Sequence, residues 1–409
     1  MWDTRALRYL CVNNLPQKFF VLLGVWLLYG SFGLVATSLA PIASVVINDL
    51  SITHAQMGMV MGAWQFVYIF SALPAGVLLD KIGSRYALAL GGILIAVSAF
   101  SRVLADDFTT MLMAVMLFGL GGPIVSAGAP KVIVSAFEGS ARGLAMGIYM
   151  TGPAIGAMVS LAATNSFLLP LFDHSWRSVL MLWGVFTISA TTLWFLFAKP
   201  DQEDNLQEPE LEKPTQNIII TLIKKPTVIL VLVLSTCVFT FNHGLNNWLP
   251  ELLKSHGYSP IAAGYLAALP IFVGIIGSLI IPRLAIPKRR FKILLALCSA
   301  AFLSSIMLRF QFPEVLVSGL ILQGLARASL MTVLILTLVE LPGIGERHAG
   351  TASGMFFSAA EMGGLLGPLT LGILFNPDTG FSSGLTFLSC ISAMMVAGAL
   401  VLKKSAQGN

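Results

Sequence analysis

The chain has 409 residues, of which 56% are hydrophobic and only 11% charged, with a mean hydropathy of +0.85, whereas soluble globular chains carry about 25% charged residues. These proportions exclude a large soluble domain and place the chain in a lipid bilayer, where about 20 apolar residues cross the hydrocarbon core and this length supplies on the order of a dozen spans. The net charge of +5 does not point to nucleic acid, because the basic residues flank apolar segments and form no patch with interleaved aromatics.

In chain order, apolar segments fall at 19–41, 57–79, 86–104, 109–130, 143–165 and 178–198, then at 226–249, 261–282, 291–309, 314–338, 350–374 and 381–402. They predict an all-α membrane protein of twelve transmembrane helices in two pseudo-symmetric six-helix bundles, residues 1–198 and 226–409. Between the bundles the acidic stretch 199–225, with Asp201, Glu203, Asp204, Glu208, Glu210 and Glu212, reads as a cytoplasmic linker. The apolar run from Phe19 is too long for a cleavable signal and another span follows it, so it is expected to be retained as a helix. Cys11, Cys237, Cys298 and Cys390 have neither paired spacing nor metal-ligand company, so no disulfide framework, metal or cofactor is expected.

Lys and Arg near short spans stay on the cytoplasmic side. With both termini cytoplasmic, eighteen of the 24 basic residues lie inside and only Arg102, Arg177, Lys254 and Arg309 outside, leaving Lys131 and Arg327 within spans. The halves are related: an offset of 207 residues superposes Gly143 on Gly350, Ala145 on Ala352, Gly147 on Gly354 and Gly156 on Gly363. Such duplicated bundles form the two halves of many secondary transporters, which rock against each other around a midplane site.

The loop after the second span reads Gly76-Val77-Leu78-Leu79-Asp80-Lys81-Ile82-Gly83-Ser84-Arg85. It resembles the G-x-x-x-D-[RK]-x-G-[RK]-[RK] signature of the major facilitator superfamily, with Ser84 where the signature carries a basic residue. Gly76 is suited to close helix approach and Gly83 to a tight turn. The resemblance implies a gating latch: Asp80 capping span eleven near Gly350 to Ser353 when the cytoplasmic side closes, with Arg85 pairing to Glu138. Gly152-Pro153-x-x-Gly156 only partly resembles the G-P-x-x-G-G motif of drug/proton antiporters, because Ala157 replaces the last glycine, and Val115 stands where those antiporters carry an arginine. The glycine pairs otherwise read as small-x-x-x-small helix packing. More narrowly, Ser175-Trp176-Arg177, Asn247-Trp248-Leu249-Pro250 and Glu340-Leu341-Pro342 are similar to the cyanate-permease-related branch of the superfamily, which implies small, mostly anionic solutes.

Charges inside spans carry the strongest functional signal, since each costs about 2.5–3.5 kcal/mol at a helix centre unless paired or wetted. Arg327 lies mid-span ten with Gln323 one turn earlier on the same face; its planar guanidinium can hold a carboxylate bidentately. Glu361 is the one acidic residue deep within a span, and its repeat-equivalent is Ala154, so it is the candidate for proton coupling. The structural alternative is an Arg327–Glu361 ion pair tying spans ten and eleven together. Lys131 can snorkel to the cytoplasmic interface. In span seven Asn242, His243, Asn246 and Asn247 form a polar cluster, and Asn242 and Asn246 are one turn apart. Gln65, Tyr68 and Trp64, with Tyr29 and Tyr149, complete the candidate cavity walls, each alternatively a packing residue. No P-loop, H-E-x-x-H or G-x-S-x-G elbow in structural context is present, so no enzyme is expected.

Together these features predict a secondary active transporter that moves a small, anionic organic or inorganic solute by alternating access, coupled to protons. It is expected in a bacterial inner membrane, working as a monomer whose partners are the solute and the lipid bilayer. The rival readings are a multidrug exporter and a membrane sensor that keeps the fold without turnover.

Overall fold

The computed structural model describes residues 15–198, 216–341 and 344–407. Among them, eleven helices are long and apolar enough to cross a membrane. One of these, His54–Val103, has 50 residues, about 75 Å at 1.5 Å per residue and far more than one bilayer requires. It breaks at Gly83, whose φ of 77° and ψ of 161° lie outside helical space, a backbone state open to glycine at no steric cost. The break yields α2 (54–82) and α3 (84–103) and restores the expected twelve spans. The others are α1 (Leu15–Thr37), α4 (Phe108–Ala136), α5 (Gly139–Ala163), α6 (Trp176–Phe197), α7 (Pro226–Ser255), α8 (Pro260–Leu284), α9 (Arg290–Met307), α10 (Pro313–Val339), α11 (Gly345–Ile373) and α12 (Ser382–Gln407).

Residues 199–215 of the expected linker lie outside the described residues. Its last part is a short helix, Gln216–Ile223, because Ile218, Ile219, Ile220 and Leu222 give that stretch an apolar face that the acidic part lacks.

The duplication read from the sequence reappears as matched helix contacts. A Cβ added at Gly156 on α5 would collide with Gly30 O and lie 2.9 Å from Leu34 N on α1; one added at Gly363 on α11 would collide with Thr236 O and lie 2.9 Å from Thr240 N on α7. Gly30 and Thr236 are 206 residues apart, as are Leu34 and Thr240. Only glycine permits backbone to touch backbone in this way, and such close approach is how helices associate where lipid removes any hydrophobic drive.

The two halves meet at one end of the molecule. There α2 lies against α11, with Gly58 under Pro368 O and Gly372 under His54 O, and α5 lies against α8, with Gly264 under Leu161 O. After α1 the chain forms a strap, the turn Ala40–Ile42 and the short helix Ala43–Asp49, that reaches across to α7. The Ser44 amide donates to Glu251 Oε1 (2.9 Å), and Lys254 Nζ donates to Glu251 Oε1 and to Ser44 Oγ (2.7 Å). The His54 ring stacks on Phe375 beside Trp248. At the other end, which carries Asp80, a Cβ at Gly76, Gly143, Gly147 or Gly354 would meet no described atom within 4 Å beyond its chain neighbours and the adjoining backbone of its own helix. The halves are therefore closed at the Glu251 end and parted at the Asp80 end.

Arg102, expected in an outer loop, is instead 1% exposed. Helix α3 runs on to Val103, and the side chain folds back to donate to Val35 O (2.9 Å), Ser38 Oγ (3.0 Å) and Ser98 Oγ (3.2 Å), fastening the end of α1 from which the strap departs. Arg177 Nη1 (2.6 Å) and Trp176 Nε1 (3.2 Å) donate to Asp49 at the strap's far end.

Candidate functional site

Where the halves part, a cavity of about 270 Å³ opens between α1, α2 and α5 of one half and α7 and α10 of the other. Its polar wall follows from helix periodicity. On α7, positions 243, 246 and 247 stand at i, i+3 and i+4 and share a face, so His243, Asn246 and Asn247 line the cavity together. Asn242, paired by the sequence with Asn246, instead turns to α10 and donates to Arg327 O at 3.3 Å.

Arg327 joins this wall from α10. Its guanidinium has no hydrogen-bond or ion-pair partner among the described residues. The expected alternative, an Arg327–Glu361 pair, does not form. Glu361 is 8% exposed and its Oε2 is buried without a partner. It belongs to a second cluster beside the cavity: a Cβ at Gly364 would lie 3.0 Å from Glu361 Oε2, 3.0 Å from Gln65 Cγ and 3.6 Å from His243 Cδ2. His243 links the two clusters. The Gln65 side-chain amide and His243 Nδ1 are hydrogen-bonded at 3.1 Å across the two halves.

Several sequence candidates stand elsewhere. Gln65 is fully buried and reaches the cavity only through His243. Gln323 is 1% exposed with its Oε1 unpartnered and does not line the cavity. Tyr29 and Tyr149 stack on each other (centroids 5.9 Å, interplanar angle 22°) behind Phe32, so they are packing residues here. Tyr68 is bonded to Ser126 at 2.8 Å. Trp64 does line the cavity, facing Phe32 edge to face. Phe32, Thr37, Met150 and Ala154 also line that wall; apart from Ala154, the repeat-equivalent of Glu361, no charge or motif flags them, and only their register against the glycine contacts of α1 and α5 could have done so.

A match to the Major Facilitator Superfamily extends over residues 25–368. The chain belongs to this superfamily. It is an integral membrane transport protein and not an enzyme. Among curated relatives it is similar to the hexuronate transporter of Bacillus subtilis (strain 168), 22% identical over 385 residues that cover 90% of this chain and 88% of the relative. It is also similar to the quinolone resistance transporter of Acinetobacter baumannii, 26% identical with 84% of each chain covered. Among solved structures it resembles the nucleoside transporter NupG, with a TM-score of 0.77, 13% identity, and 95% of this chain and 99% of that chain covered; this likeness concerns the fold.

The superfamily's signature loop lies at the open end, and its contacts differ from those expected. Asp80 does not cap α11 here: its carboxylate accepts from Lys131 Nζ at 2.7 Å, both side chains about half exposed. Lys131 therefore has an acidic partner within its own half. Arg85 does not pair with Glu138; its Nε and Nη2 donate to Phe195 O at 3.2 and 3.0 Å, and its guanidinium lies 4.5 Å over the Phe195 ring. The parted seam leaves α11 out of reach of Asp80, while Glu138 is exposed at the start of α5 and Arg85 is held by Phe195 within the same half. Gly76 meets nothing for the same reason. In the other half, Arg290 forms a bidentate pair with Glu340 (2.6 and 2.8 Å) and holds that carboxyl below the usual carboxylate range.

Proposed function

We propose that this superfamily member is a secondary transporter of small organic anions, working by alternating access and coupled to protons. The observation that carries the reading is Arg327: a permanent cation in a mid-membrane cavity with no acidic partner among the described residues. A charge in that position is costly unless paired, and a guanidinium is built for bidentate contact with a carboxylate. The hexuronate transporter among the relatives supports an anionic cargo. The cavity, about 270 Å³, falls below the range of about 300–1,000 Å³ common for drug-sized ligands and favours a small solute over a multidrug substrate.

In this reading the chain sits in a bacterial inner membrane as a monomer with cytoplasmic termini, and the conformation described faces inward. Membership of the cyanate-permease-related branch rests on the short segments around Trp176, Trp248 and Glu340. Glu361 carries the coupling proton, and His243, between Glu361 and Arg327, transmits solute arrival from one to the other. Closure of the inner end moves Asp80 from Lys131 to the start of α11.

The test is equilibrium binding to purified protein of glucuronate, benzoate and the lipophilic cation tetraphenylphosphonium, with Arg327→Lys and Arg327→Gln as variants and thermal unfolding as the folding control. One of the carboxylates binds, and both variants fold yet weaken its binding at least tenfold. Binding of the cation alone, or undiminished carboxylate binding by both variants, rejects the reading.

A further inference from the structure

The two walls of the central cavity differ in chemistry. Among the described residues, the imidazole, amide and guanidinium groups that line it, those of His243, Asn246, Asn247 and Arg327, all come from the C-terminal half. The N-terminal half contributes Phe32, Trp64, Met150, Pro153, Ala154 and Ala157, with Thr37 and Trp64 the only side chains among the described lining residues of that half that carry a hydrogen-bonding group. The aromatic part of this wall is braced: Phe32 lies 5.9 Å from Trp64 at 86° and 4.9 Å from Phe118, and Trp64 lies 5.3 Å from Phe118. Such edge-to-face arrangements hold their rings in place and present a fixed apolar surface.

A polyhydroxylated acid fits this division poorly. With its carboxylate on Arg327, its hydroxyls turn toward carbon on the opposite wall, and each hydroxyl stripped of water without a partner lowers binding on the order of tenfold. A diacid fits no better, because Arg327 is the sole cation lining the cavity among the described residues and Glu361 lies close by. We infer that the cargo is a monocarboxylate with an aromatic or alicyclic body, its head on Arg327 and the α7 amides and its body against Phe32, Trp64 and Ala154. This rests on the anion reading above and narrows it. It separates the chain from the hexuronate transporter it resembles. A solute held this way touches both halves at once, so its ring registers the approach of the N-terminal half while its head stays fixed on the C-terminal one.

The experiment is displacement of radiolabelled benzoate from the purified full-length protein by benzoate, cyclohexanecarboxylate, glucuronate, galactarate and nitrate, repeated on Arg327→Gln, with direct titration calorimetry for each compound. Benzoate and cyclohexanecarboxylate are expected to bind at least tenfold more tightly than the other three, and Arg327→Gln to lose both. If glucuronate or galactarate binds as tightly as benzoate in an Arg327-dependent manner, the apolar-body assignment is wrong and the anion reading stands. Equal competition by nitrate has the same meaning, because the apolar wall then contributes nothing. If none of the five binds, or if Arg327→Gln leaves benzoate binding intact, the anion reading itself falls and takes this one with it.

Discussion

Removing the Glu251 carboxylate is expected to open the closed end. In the conformation described, Glu251 accepts from the Ser44 amide at 2.9 Å, and Lys254 bridges it to Ser44 Oγ. The Glu251–Lys254 bond lies within α7 and survives any separation of the halves, whereas both bonds to Ser44 break when the strap leaves α7. Glu251 is 8% and Lys254 17% exposed, so solvent screens them weakly. A hydrogen bond to a charged group contributes about 1.5–3 kcal/mol; because the two cross-half bonds share one residue, they are counted as one. Glu251→Ala then shifts the balance between the closed and open outer end by about 10- to 150-fold. The assay is alkylation of a single cysteine placed at the cavity residue Met150, in a chain otherwise free of cysteine, by an impermeant reagent added from the Glu251 side of proteoliposomes. The rate is expected to rise at least tenfold over the parent. A rate within twofold of the parent, in a protein that unfolds at the same temperature, refutes the claim that this network holds the end shut.

Glu361→Gln keeps solute exchange and loses accumulation driven by a pH gradient; gradient-driven accumulation by that variant makes Glu361 structural. Gly363→Ala lowers the unfolding temperature, at a cost of about 1–3 kcal/mol, because its Cβ collides with Thr236 O, whereas Gly354→Ala, with open space around it, does not. Since Arg290 holds the Glu340 carboxyl below its usual range, the ionised form favours the folded state. That contribution is complete above the ordinary carboxyl value of about 4.3 and is lost as the pH falls below it, so Glu340→Gln flattens the acid limb of a stability profile. Asp80→Asn, which breaks an exposed pair, changes stability by less than about 1 kcal/mol while slowing transport; an unchanged rate removes the latch.

What the sequence made legible is what repeats along it. Twelve spans, the break at Gly83 and the 207-residue duplication are encoded in periodicity and in glycine, whose roles are local, so α2 and α3 separate where the signature loop says they must. Arg327 and Glu361 stood out because a charge in an apolar run is conspicuous on its own. Partnerships were not legible. Whether Asp80 meets Lys131 in place of α11 depends on how far the halves have parted, and whether Arg327 meets Glu361 depends on how α10 and α11 are turned within their own half; neither is written in a single segment. The strap was hidden for a different reason: Ala40 to Asp49 reads as the tail of one span and the loop beyond it, and Glu251 as an ordinary residue past the end of the apolar segment 226–249. The apolar wall was hidden because Phe32, Met150 and Ala154 look like any lipid-facing residue until the partner helix is in place.

The matched contacts of Gly156 on α1 and Gly363 on α7 have a consequence for how this protein can change over evolutionary time. Inside each half, backbone rests on backbone, and almost any added atom is an obstruction, so substitutions there are removed for failing to fold before transport is ever tested. Between the halves at the Asp80 end the surfaces do not touch in this state, and new side chains enter freely. Variation that alters the rate or direction of transport will therefore accumulate along the faces of α2, α5 and α11 that part and rejoin, leaving the interior of each bundle almost unchanged while its working properties drift.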